Sequence, residues 1–266
     1  MAGAAFDRQL QALDDGRAVL DLDGWTLTDV RGAEAEGWLN DLVTASTEGI
    51  RDGEAVRSLL LSPTGRIRAD FHVLRSPAGE GFLLLQGPGQ PDTLATLLTP
   101  YVLSSDVELA AADPTGLLVT PRPGPRWTAT RDRPGKRIRV QVAAEAFEAW
   151  RIRHGIARFP VDLDADSLPA EAGLDAEPLI DRTKGCYLGQ ESVARVRNLG
   201  HPVRLVLAVR ADAPLHPGLA VIAEGAQAGT VTSVEPAGGS GAMVRIRWDA
   251  READLIAAGG FVLERR

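Results

Sequence analysis

One cysteine, two lysines and an aromatic share of 5% are the scarcest features of this 266-residue chain, and the scarcities exclude whole classes of protein. A lone cysteine cannot close an internal disulfide, nor can it supply the clustered thiolates of a zinc or iron–sulfur centre held by this chain alone. It suits a reducing compartment. The formal net charge of −7 lacks the basic surplus that nonspecific nucleic-acid binding requires, so no nucleic-acid partner is expected. No run of about 18 apolar residues occurs. The first twenty residues carry Asp7, Arg8, Asp14, Asp15 and Arg17 where a secretory segment would be apolar. A cytoplasmic protein without a membrane partner is the expectation. No glycine-rich phosphate loop follows a strand, which removes a nucleotide fold.

What is present is a well-populated aliphatic core, with 44% hydrophobic and 24% charged residues. Residues 19–30 alternate as strand, turn and strand, and 31–42 reads as a helix burying Trp38, Leu39 and Leu42. VRSLLLS and RIRADFHVLR, joined at Pro63-Thr64-Gly65, form a hairpin. Period two puts Ile67, Ala69, Phe71 and Val73 on one face and Arg66, Arg68, Asp70 and His72 on the other. That polar face has two readings: a solvated outer surface, or the wall of a ligand cavity in which arginines meet an anion and Asp70 accepts from a ligand nitrogen. Past the turn SPAGEG, FLLLQ is a strand. Residues 91–101 form a helix on Leu94, Leu97 and Leu98, and DVELAA, GLLVT and KRIRVQV are further strands. The proline-rich 121–136 reads as a surface connection in which Trp127 packs.

Residues 143–155 form a helix on Phe147, Trp150 and Ile152 that ends at Gly155, and 156–183 is an irregular segment of the kind that carries sites. After residue 200 the chain becomes short strands with glycine turns, a small β-barrel interrupted by a short helix near 251–258. The fold class is α+β: a core of mixed or antiparallel sheets and helices over 1–200, with the barrel at 201–266.

The chemistry concentrates in Lys184-Gly185-Cys186-Tyr187-Leu188-Gly189-Gln190-Glu191, leading into a helix from Glu191. A thiol near a helix start with Lys184 two residues away sits in positive potential, which favours thiolate. A nucleophilic role needs a base, and His72, His154, His201 and His216 show no spacing that identifies one. A redox-responsive thiol, or one ligand in a centre shared with another molecule, meets neither objection.

The segment KGCYLGQESVAR resembles the signature of the YgfZ family, folate-binding proteins related to the aminomethyltransferase (T protein) of the glycine cleavage system. LSPTGRIRADFHVL is similar to that family's strand-turn-strand, Arg151 to Pro160 to its Arg-x-x-x-Gly segment, and LPAEAGL, with Glu171, to its acidic loop. The terminal strands look like its small barrel. The resemblance implies a tetrahydrofolate-binding core, a motif thiol at Cys186, and a role in making or repairing iron–sulfur clusters. The expected partners are then folate and transient client or assembly proteins. It implies ligand contacts at Asp70 and Glu171, which would receive pterin N–H groups, and at Arg68 and Arg195, which would meet the glutamate tail. The alternative it carries is a folate-dependent aminomethyl or methyl transferase with Asp70 as acid or base. Two positions depart from the transferases. Their pterin-recognising glutamate falls at Arg153, and their aspartate pair falls at Ala69 and Asp70.

Overall fold

In the computed structural model, which describes residues 2–76, 81–103, 105–131 and 139–266, the chain begins with helix α1 (Ala2–Asp14). Sequence patterning gave no helix there, although Leu10, Ala12 and Leu13 are buried while Asp7, Arg8 and Asp14 are exposed. There follow β1 (Ala18–Leu20), β2 (Thr26–Arg31), α2 (Ala35–Asn40), β3 (Glu54–Leu61), β4 (Ile67–Arg75), β5 (Phe82–Gln86) and α3 (Leu94–Leu98). Next come β6 (Glu108–Ala112), β7 (Leu117–Thr120), β8 (Arg126–Arg131), β9 (Val140–Val142), α4 (Ala144–Arg153) and α5 (Gln190–Leu199). Six strands close the chain: β10 (Arg204–Ala211), β11 (Ala220–Ala223), β12 (Ala226–Val234), β13 (Gly241–Arg247), β14 (Leu255–Ala257) and β15 (Phe261–Arg265).

Seven strands form an antiparallel sheet in the order β6-β2-β5-β4-β3-β8-β7, and β10 to β15 form a closed barrel. The sheet is covered on both faces, and β3 and β5 are accordingly buried along nearly their whole length. One face, with Val56, Phe71, Val73 and Leu84, packs under α2 and α3. The other, with Leu27, Leu74, Leu85 and Trp127, packs under α1 and α4 through Leu13 and Trp150. A separate apolar cluster fills the barrel, and Leu59, Ile67, Ile152, Phe159, Ile180 and Met243 join sheet, irregular segment and barrel in a fourth.

Three expectations change. The connection expected over 121–136 contains strand β8, because Trp127 is buried at 5% exposure and Glu54–Val56 pair with Arg126–Thr128. The helix expected near 251–258 is instead a short 3-10 turn at Trp248–Ala250 followed by β14, whose pairing closes the barrel. The helix expected over 31–42 is α2, in which only Leu39 of the expected trio is fully buried, while Trp38 and, beyond the helix end, Leu42 are partly buried against the same cluster. Residues 77–80 of the SPAGEG turn and 132–138, at the start of the expected strand KRIRVQV, lie outside the described residues.

Candidate functional site: a sheet-and-helix cavity and the cysteine loop

The period-two split of β4 is observed. Ala69, Phe71 and Val73 are buried on the α2/α3 side and Ile67 in the cluster shared with the irregular segment and barrel, so Asp70 and His72 turn toward α4. There they meet Arg57 of β3 beneath a cavity of about 250 Å³. Trp25, Trp127, Phe147, Ile156 and Phe159 supply its apolar wall, and Arg57, Asp70, His72, Gln90, Glu148 and Arg158 its polar one. The solvated reading of this strand face is thereby excluded at Asp70 and His72. It holds at Arg68, which is exposed and lies 3.5 Å from Asp92.

Arg57 grips Asp70 with two bonds, Nε to Oδ1 at 2.8 Å and Nη2 to Oδ2 at 2.5 Å, and Nη2 also donates to the Ala157 carbonyl at 2.8 Å. Burial pulls the Arg57 guanidinium down, but the Asp70 charge outweighs it and the net shift is upward. Gln90 ties the next loop to β4 by accepting from Asp70 N at 3.0 Å and donating to Asp70 O at 2.6 Å. His72 is 5% exposed, stacks on Trp127 with ring centroids 3.8 Å apart, and is held well below the usual imidazole range by burial and by the Arg57 charge. Its Nε2 is buried with no hydrogen-bond partner.

On the opposite wall Arg151, 1% exposed, occupies the centre of a second network. It donates from Nε to Glu148 Oε2 at 2.7 Å, from Nη1 to Asp162 Oδ2 at 2.7 Å and to the Ile156 carbonyl at 3.0 Å, and from Nη2 to Ser233 Oγ at 2.8 Å. Asp162 also accepts from Thr232 Oγ1 at 2.6 Å, so the network fastens α4 and the irregular segment to β12 of the barrel.

The cysteine loop lies elsewhere. Cys186 is exposed and precedes α5 by a few residues, and it does not line the cavity. Lys184 does not turn its ammonium to the thiol. It donates to the carbonyls of Val43 at 2.6 Å, Ala45 at 3.1 Å and Asn40, tying the loop to the chain after α2. Burial brings this ammonium down to about 8, against the opposing charges of Asp181, Asp41 and Glu48. Gly189 has φ 84°, and a Cβ there would meet Ser62 O at 2.5 Å and Gly65 Cα at 3.1 Å. The hairpin turn and the cysteine motif therefore touch backbone to backbone, which only glycine permits. Gln190 Oε1 accepts from Tyr187 N at 3.3 Å, while Gly185 and Glu191 are exposed.

Of the residues expected around a ligand, Asp70 lines the cavity and three do not. Arg68 is on the exposed strand end, and Arg195 is exposed on α5. Glu171, 1% exposed, accepts from Leu168 N at 3.2 Å and Arg245 Nη2 at 2.9 Å, so it pins its loop to β13. Arg153, expected where a carboxylate should stand, bonds Glu235 Oε1 through Nε at 2.5 Å and faces the barrel. Sequence reasoning passed over Arg57, Gln90, Glu148 and Arg158. The usable signal was Arg57, a lone charge inside an apolar strand. A larger depression of about 1120 Å³ is lined by Arg75, Arg131 and Arg139 among others, the last two adjoining residues outside the described ones, and lacks the buried ion pairs of the smaller cavity. Among the described residues, no group of three His, Cys, Asp or Glu is placed to hold a metal ion, and no helix is long and apolar enough to cross a membrane.

Compared with known proteins, the chain is 24% identical over 224 residues to the tRNA-modifying protein YgfZ of Klebsiella pneumoniae (strain 342), covering 68% of each chain. It is 26% identical over 233 residues to the iron–sulfur cluster assembly factor IBA57 homolog, mitochondrial, of Chaetomium globosum, covering 68% of this chain and 53% of that one. The chain is thus similar in sequence to YgfZ and IBA57 proteins at low identity. It matches about half the length of the fungal relative and about two thirds of the bacterial one. No protein-family model matches it. Its fold is that of the glycine cleavage system aminomethyltransferase T from Bartonella henselae, with a TM-score of 0.74 and 16% identity over 96% of this chain and 86% of that chain. The mixed sheets and closed barrel of the chain agree with that fold.

Proposed function

We propose that the protein binds tetrahydrofolate, or a derivative of it, in the cavity between β3, β4 and α4, and acts as an accessory factor in making or repairing iron–sulfur clusters of client enzymes. The observation that carries the binding reading is the unpartnered, buried Nε2 of His72 in an aromatic-walled cavity beside the Arg57–Asp70 pair. A buried polar atom without a partner costs about 1–3 kcal/mol, and a ligand can remove that cost. About 250 Å³ is at the lower end of small-ligand sites, so the cavity suits a bicyclic ring with its tail outside. Trp25, Trp127 and Phe147 would hold the ring, and Asp70 and Glu148 would meet its N–H groups. Bound folate supplies a carrier of one-carbon units.

The accessory reading rests on Cys186, an exposed thiol in an intact motif outside the cavity, and on the names of the relatives, one a cluster assembly factor and the other a tRNA-modifying protein. A net charge of −7 disfavours a direct hold on RNA, so action through a client enzyme is favoured. The transferase alternative is less favoured, because the aspartate pair of the transferases falls here at Ala69 and Asp70, which leaves one carboxylate, already paired with Arg57.

Calorimetric titration of the parent protein with tetrahydrofolate should give saturable heat, weakened by Asp70→Ala. No saturable heat at millimolar ligand would sink the binding reading. Tetrahydrofolate-dependent transfer from an aminomethyl donor, abolished by Asp70→Asn, would favour the transferase. In a strain lacking the gene, Cys186→Ala should fail to restore iron–sulfur enzyme activity, and full restoration would remove the thiol from the mechanism.

A further inference from the structure

Resting on the binding reading above, we propose that Thr44 and Ser58 are positioning residues that couple the cavity to the cysteine loop, so that a ligand held against Arg57 and His72 restrains the backbone that presents Cys186. Arg57 and Ser58 are consecutive in β3 and therefore point to opposite faces of the sheet. Arg57 turns into the cavity, where it is the cross-strand partner of His72 in β4. Ser58 turns into the interior on the other side, where it is fully buried and meets Thr44, which is fully buried as well.

Donor counting gives the direction of the two hydroxyls. Thr44 Oγ1 carries one proton and donates it to the Leu179 carbonyl at 2.9 Å, so in its 3.3 Å contact with Ser58 Oγ the serine is the donor. Ser58 Oγ accepts in turn from Ala45 N at 3.0 Å, and Thr44 Oγ1 from Leu59 N at 2.9 Å. The main chain of Thr44 repeats the link, its N donating to Leu59 O at 3.0 Å and its O accepting from Asp181 N at 3.0 Å. Asp181 Oδ1 then shapes the turn before the cysteine by accepting from Thr183 N at 2.7 Å and Lys184 N at 3.0 Å. Residues 43–45 are thus a buried stitch, bonded to the cavity strand on one side and to the cysteine loop on the other. Hydroxyls in series polarise one another, and a bond broken in this interior leaves an unsatisfied group, so the stitch resists partial rearrangement. Coupling through it needs no displacement of the loop, only a change in how often the loop opens.

The test follows amide hydrogen exchange at Asp181, Thr183 and Lys184 in the full chain, with and without saturating tetrahydrofolate, beside a calorimetric titration of the same samples. In the parent, the ligand should slow these amides by about fivefold or more. Thr44→Val, which cannot bond Leu179, should speed exchange in both samples and lose the ligand-dependent ratio, while Thr44→Ser should keep it. A folded Thr44→Val that exchanges faster but retains the parental ratio overturns the proposal, since loosening of the loop alone gives that result. Saturable heat with unchanged exchange in the parent also overturns it and leaves folate binding standing, which decides the matter without a variant if Thr44→Val folds poorly. Absence of saturable heat in the parent overturns both readings.

Discussion

At the cavity each buried guanidinium faces a carboxylate, Arg57 with Asp70 and Arg151 with Glu148 and Asp162, whereas at the cysteine loop Lys184 donates to three backbone carbonyls. A planar guanidinium matches a carboxylate with two parallel bonds, and an ammonium is a compact charge with three donors. The first arrangement fixes side chains drawn from distant strands and a helix against one another. The second fixes the shape of one loop and leaves its thiol in solvent. The cavity is thus a packed, charge-balanced container, and the cysteine loop is a presented group on a clasped backbone.

That contrast can be broken most forcefully at Asp162, which is fully buried against Arg151. Asp162→Ala strips a buried cation of one partner, and thermal or denaturant unfolding should show a loss of about 3–5 kcal/mol. A loss below about 1 kcal/mol would mean that Glu148 alone compensates Arg151. The two glycines of the loop give a sharper comparison. Gly189→Ala forces φ 84° and a contact with Ser62 O, and should cost about 2 kcal/mol or more. Gly185→Ala meets nothing within 4 Å and should stay within about 0.5 kcal/mol. Equal effects would mean that the hairpin does not clasp the motif.

The third prediction concerns the cavity floor. His72 stays neutral in the folded protein, held well below 6.5 by burial and by Arg57, while the unfolded chain's histidine takes up a proton as pH falls through about 6.5. The unfolded state then binds more protons, so the fold should lose stability on acidification, by about 1.4 kcal/mol for each pH unit below 6.5. His72→Phe, which keeps the ring against Trp127, should flatten the unfolding profile between pH 7 and 5. A profile unchanged by the substitution would show that His72 titrates normally.

Much of the fold was legible because its signals are local. The hairpin around Pro63-Thr64-Gly65, the α4 helix ending at Gly155 and the glycine-turned barrel strands follow from turn chemistry and period. Strand β8 was hidden under prolines and arginines because its place depends on pairing with β3, a tertiary partner. The candidate site divides in the same way. Asp70 and His72 fell on one face by alternation, but which residues complete that face was not a property of the strand. Glu148 and Arg158 come from α4 and the segment after it, while Glu171, which looked like a ligand contact, is taken by Arg245 of the barrel, and Arg153, which stands where the transferases have a glutamate, pairs with Glu235.

By itself the sequence determined an α+β chain with a terminal barrel, the split of β4 into apolar and polar faces, and a contiguous cysteine motif, because periodicity and turn residues act between near neighbours. Only the tertiary structure decided that the polar face is roofed by α4 into a cavity, that Lys184 turns to carbonyls and away from Cys186, and that the barrel takes up Arg153 and Glu171. The physical reason is that a buried charge goes to the partner that desolvation leaves within reach, and packing across distant segments chooses that partner.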